Sequence, residues 1–386
     1  MIPAVHLPES VPWERIRLQA LVSGFIGLAC CALAALASPA HALRSYLVAF
    51  NYWLGIALGC LALLMLQHLT GGIWGLVLRR VFESASRTLA LLALLFIPVL
   101  LGLPGLYEWV GSTDPGLLEK SWYLNVPFFI GRTAAYFVIW LMIAFCLNKW
   151  SAAADQGPVD ARRFRLLSGP GLVLYGGTVT FASIDWVMSL EPHWYSTIFP
   201  VLYAVGQLLE AMAFSVFMLV CIGSQPAFEN LLGPTQRRDL GNLLLAFVMM
   251  WAYLSFSQFL IIWSENLPEE IPWYLKRTRG GWQWLALILV VFQFSLPFVL
   301  LLSREIKTQP RRLAAVALLV LGMRYLDVFW WIEPAFPGGM YFYVLVDIAA
   351  LVGLGGIWIW YFLGQLGKLP LLPLQESGQG GGSGHE

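Results

Sequence analysis

A run of about 20 apolar residues leaves a chain few options, because a helix of that length covers about 30 Å of hydrocarbon at 1.5 Å per residue. This chain carries ten such runs, at approximately 18–37, 46–66, 86–106, 122–147, 168–188, 197–222, 241–262, 282–303, 311–331 and 341–363. Only 12% of the residues are charged and the mean hydropathy is +0.72, too apolar for a soluble globular protein. The expectation is an all-α integral membrane protein with a short polar arm (1–17), a ten-helix membrane domain (18–367) and a Gly-rich flexible tail (368–386). The first run follows Arg15 and Arg17 and precedes small residues, as a signal peptide would. Its apolar core is longer than a typical signal segment, so it is read as an uncleaved anchor.

The midpoint is Asp185-Trp-Val-Met-Ser-Leu-Glu-Pro-His-Trp-Tyr-Ser-Thr197, which joins the fifth run to the sixth and divides the domain into halves 18–190 and 191–367. Pro192 bars continuous helix before it. Trp186, Trp194 and Tyr195 are rings of the kind that settle at headgroup level.

Charge placement carries the remaining information, since the net charge of +1 gives no reason to expect nucleic-acid binding. Sixteen Lys and Arg fall on the side of the amino-terminal arm, and five (Arg44, Lys120, Lys276, Arg277, Arg279) on the other. The positive-inside bias then puts both termini in the cytoplasm and Asp185, Glu191 and His193 toward the outer face.

Ionisable residues inside spans are costly and mark partners, ligand sites or proton routes. Arg132, Asp185 and nearby His193 form a candidate quinone-facing pocket, in which a carboxylate and a donor would meet the two oxygens of a quinol. Glu210, one turn after Gln207, lies near mid-membrane; with Gln258, Glu265, Arg324 and Asp327 it forms a candidate proton path. Arg324 and Asp327, three apart, can equally neutralise each other, and Arg132 can snorkel. His193 is as compatible with a plain loop role.

Five cysteines in predicted spans form no zinc, iron–sulfur or haem-attachment motif and are read as packing residues. Of five histidines only His68 is near a span, so paired axial ligands for membrane haem are not expected. No metal site is expected in this chain. Trp263 to Trp284 is an outer connection rich in charge and aromatics, in which Glu269, Glu270, Trp273, Lys276, Arg277 and Arg279 are candidates for docking a peripheral protein. Gly55-Ile-Ala-Leu-Gly59 permits close helix packing without naming the neighbour.

Residues 185–199, together with Phe256-Ser-Gln-Phe-Leu-Ile-Ile-Trp-Ser-Glu-Asn-Leu-Pro-Glu-Glu-Ile-Pro-Trp-Tyr274 and Arg277-Thr-Arg-Gly-Gly-Trp-Gln-Trp284, resemble the ActF family, the smaller polytopic subunits of bacterial alternative complex III. That family is related to the polysulfide-reductase membrane subunits. The resemblance implies two four-helix bundles, spans 2–5 and 6–9, with spans 1 and 10 outside them. It also implies an inner-membrane assembly that oxidises quinol or menaquinol and passes electrons to a cytochrome c or an attached terminal oxidase. Haem c and iron–sulfur clusters would sit on partner subunits, and a companion polytopic subunit of the ActC type would hold the principal quinol pocket. The chain itself would be a scaffold without a redox centre, inactive alone. A stand-alone secondary transporter is the competing class, since two helical halves can rock about a midplane site. No pair of Gly/Pro-broken spans at matching positions is apparent; Pro98, Pro200 and Pro297 are single kink candidates. A purely structural subunit is the third possibility.

Overall fold

A computed structural model describes residues 7–8, 11–157, 159–223, 232–336 and 344–371. Among the described residues the chain is 83% helical with no strand. Ten helices are long and apolar enough to cross a membrane. They are α1 Trp13–Ala37, α2 Pro39–Thr70, α3 Ile73–Leu101, α4 Val126–Ala154, α5 Ala161–Leu190, α6 Phe199–Ile222, α7 Pro234–Glu265, α8 Trp282–Leu302, α9 Pro310–Ala335 and α10 Val344–Leu366. The protein is thus a multi-pass membrane protein, five helices preceding Glu191 and five following it. Most of the expected tail lies outside the described residues, as does the start of the tenth run at 341–343.

The helices overrun the apolar stretches, most of all in α3. Its expected start was residue 86, yet it begins at Ile73, and the connection from α2 is only Gly71 and Gly72, both at positive φ. Arg79, Arg80 and Glu83 had broken the apolar pattern, but they lie buried and pair with one another and with Asp155. The expected polar arm is shorter too, since α1 starts at Trp13.

Two spans are irregular. α3 tightens at Arg87–Thr88 and again at Phe96, two residues before Pro98. α8 widens into a π turn over Leu289–Ser295. Pro297 follows that turn, has no N–H for the Gln293 carbonyl and would crowd it in a regular helix. Pro200 is no kink; it sits in the first turn of α6, where its missing N–H costs nothing. Pro170, expected at a helix start, lies inside α5 instead.

α2 lies at the centre and contacts α1, α3, α5, α6, α9 and α10. Small residues let it do so. A Cβ on Gly55 would overlap the Glu210 carboxylate, and one on Gly59 would overlap the Gln207 carbonyl of α6, so the neighbour of the Gly55/Gly59 pair is α6. α1 and α10 cross as closely through Gly24, Gly27, Gly353 and Gly356.

Candidate functional site

Glu210 on α6 and Arg324 and Asp327 on α9 meet inside the helix bundle, each no more than 2% exposed. Their approach depends on glycine: Glu210 occupies the space beside Gly55, and the Arg324 guanidinium the space beside Gly206, one turn before Glu210. Arg324 Nη1 donates to Asp327 Oδ2, and its charge lies over the Trp331 ring at 5.0 Å. Trp251 Nε1 of α7 donates to the same Asp327 oxygen at 2.8 Å. The Gln293 amide, presented by the π turn of α8, sits among Asp327, Trp251 and the Met323 carbonyl. Glu210 Oε1 and Arg324 Nε have no hydrogen-bond partner among the described residues.

Next to this trio, Tyr175 donates to Gln207 at 2.9 Å and Tyr203 to Asn51 at 2.7 Å. The cluster thus draws on α2, α5, α6, α7, α8 and α9. Arg324 pairs with Asp327, and Glu210 forms no ion pair among the described residues, so its buried carboxyl lacks a counter-charge of its own, an arrangement that can hold an exchangeable proton. Of the expected path residues, Glu210, Arg324 and Asp327 are together. Gln258, buried two turns along α7 from Trp251, neighbours the Tyr274 hydroxyl instead. Glu265 is exposed at the end of α7 and does not join them.

The Arg132–Asp185 pair is closed on itself. Arg132 donates from Nε and Nη2 to the two Asp185 oxygens at 2.9 and 2.8 Å, Tyr136 adds a third bond at 2.7 Å, and Asp185 is fully buried. The rings of Tyr123 and Phe128 flank the guanidinium at 3.8 and 4.2 Å. Trp186 next to it packs among Phe50, Phe96, Phe137 and Trp140. His193 does not join the pair: it is exposed and faces Asp114 at 3.2 Å. The expected three-residue pocket is therefore two residues locked together and one at the surface.

The outer connection folds onto the midpoint stretch. Glu191 accepts from Lys276 Nζ at 2.7 Å and from Arg277 Nη1 at 3.0 Å. Trp194 stacks on Trp273 with ring centroids 4.7 Å apart. Arg277 also donates to the carbonyls of Trp273, Trp330 and Trp331 and lies over the Trp273 ring. Burial lowers its pKa to about 10 while Glu191 opposes the shift, so the guanidinium stays charged at neutral pH. Trp273 and Arg277 are thus interior residues and not the docking contacts they were read as. Their type misled, because a basic loop cluster looks solvated until an acid from elsewhere in the chain reaches it. Glu269 and Arg279 are exposed, Glu270 is half-buried, and Lys276 keeps half its side chain in solvent. Burial, followed by Glu265 and Glu269, raises the Glu270 pKa.

Sequence reasoning passed over Trp251, Gln293, Tyr175 and Asn51, although Gln293 in the middle of the apolar run of α8 was a usable signal. It also passed over Ser45, which donates to Asp347 at 2.5 Å between α2 and α10. Among the described residues no cluster of three His, Cys, Asp or Glu is arranged to hold a metal ion. No protein-family model matches the chain, and no curated protein does.

Proposed function

We propose that this chain is the smaller membrane subunit of a quinol:electron-acceptor oxidoreductase of the alternative complex III type, holding periplasmic haem and iron–sulfur subunits at its Glu191 end. The observation that carries the proposal is the fit between the stretches that bear the resemblance. Residues 185–199 and 263–284, far apart in sequence, build one end of the molecule together through Glu191, Lys276, Arg277, Trp194 and Trp273. Exposed Glu269, Arg279, Trp263 and Trp284 leave that surface charged and aromatic, a composition suited to a peripheral protein. The grouping into α2–α5 and α6–α9 comes from the resemblance; in the fold α1 and α10 pack on each other, and α2 also contacts α6, α9 and α10 across that division. Both termini would be cytoplasmic in the inner membrane.

Within that assembly the Glu210–Arg324–Asp327 trio exchanges a proton with quinol chemistry in the neighbouring polytopic subunit. Arg132 and Asp185, being each other's partners, hold α4 to α5 and leave the main quinone or menaquinone pocket to that neighbour. The test is Glu210→Gln in the purified complex, reading quinol oxidation and proton release together. Loss of proton release at retained assembly supports the trio's role; unchanged release and turnover remove Glu210 from it.

One observation favours transport as a second reading. α3 and α8, each the third helix of its half, are both irregular, though each runs through as one span. Their surroundings differ, however: Phe96 packs in the aromatic core, whereas Gln293 reaches Asp327. Solute uptake by vesicles holding the chain alone would favour transport.

A further inference from the structure

The basic end of the bundle holds a cavity that none of this chemistry uses. Where α6 ends and α7 and α9 begin, a space of about 440 Å³ is walled by Leu219, Val220, Leu232, Leu240 and Leu313. Arg237, Gln309 and Arg311 border the same space. Arg237 Nε is shielded from solvent with no hydrogen-bond partner among the described residues, a costly state unless something else supplies an acceptor. Neither Arg237 nor Arg311 forms an ion pair among those residues, whereas two neighbouring cations are engaged: Arg312 by Glu305 and Lys307 by Asn242. Pro310 opens α9 at the rim, and Gln309 before it makes no side-chain cap bond, so the helix end adds positive partial charge.

An apolar wall beneath two free guanidinium groups asks for an anion carrying hydrocarbon. At the end of membrane-spanning helices, that chemistry is a phospholipid headgroup with its acyl chain. The residues named as lining the cavity include two cations and no acid, which disfavours headgroups that carry an amine. We propose that the cavity binds one anionic phospholipid, its phosphate held by Arg237 and Arg311 and an acyl chain along the leucine wall. The proposal is independent of the redox role.

The full chain, with whatever subunits accompany it, is exchanged into nanodiscs of equal parts phosphatidylcholine, phosphatidylethanolamine and phosphatidylglycerol. Lipid retained on release is read by native mass spectrometry. We expect selective retention of phosphatidylglycerol, reduced about fivefold in Arg237→Gln and again in Arg311→Gln. Arg163→Gln, at the exposed start of α5, should leave it unchanged. Soluble glycerophosphoglycerol should not displace the lipid. Equal retention of the three lipids, no loss in the Arg237→Gln/Arg311→Gln double variant, or displacement by the soluble headgroup would each overturn the site. Arg311 is exposed, so its single variant carries the test should Arg237→Gln not fold.

Discussion

Arg132 and His193 sit near the same end of the molecule and differ in what surrounds them. Asp185 is bonded twice by Arg132 and once by Tyr136 with no access to solvent. Removing its charge strands a guanidinium only 10% exposed, and Asp185→Asn should cost about 3–5 kcal/mol. His193→Ala breaks only an exposed pair with Asp114 and should cost less than ~1 kcal/mol. Thermal unfolding of the two variants in one detergent checks the contrast; equal losses would mean that Asp185 is not the lock described. At this scale the sequence could rank buried charges but not pair them. Arg132 and Asp185 are 53 positions apart, and nothing local shows that their side chains meet. Arg324 and Asp327, three apart on one helix face, were legible for the opposite reason.

Gly59 illustrates what decides packing at the level of whole helices. In α2 it meets the Gln207 backbone of α6, so Gly59→Ala must push two central helices apart and should destabilise by about 1–3 kcal/mol. Gly177 on α5 faces open space, and Gly177→Ala should be neutral or slightly stabilising, since alanine is the better helix former. Denaturation midpoints in detergent compare the two, and a Gly59→Ala variant as stable as the wild type would contradict the close crossing. Ten helices and their order were readable because hydrocarbon thickness fixes their length. The start of α3 was not, because Arg79, Arg80 and Glu83 cancel one another only after Asp155 arrives from the end of α4. The π turn of α8 was hidden as well: Pro297 announces a perturbation but not its form.

At the scale of the whole molecule, α2 contacts helices of both halves, and the cluster around the charged trio draws on α2 and five other helices, so the helices pack as one unit around α2. The membrane class follows from ten apolar runs, whereas the redox assignment rests on the two stretches that meet at Glu191. The measurement that bears on it most directly is a cryo-EM map of the complex purified gently from native membrane. We expect haem-bearing and iron–sulfur neighbours seated on the surface around Glu191, Glu269 and Arg279, a second polytopic subunit alongside, and no quinone between Arg132 and Asp185. A chain isolated without redox partners, enclosing a solvent-accessible cavity at mid-membrane, would contradict the assignment.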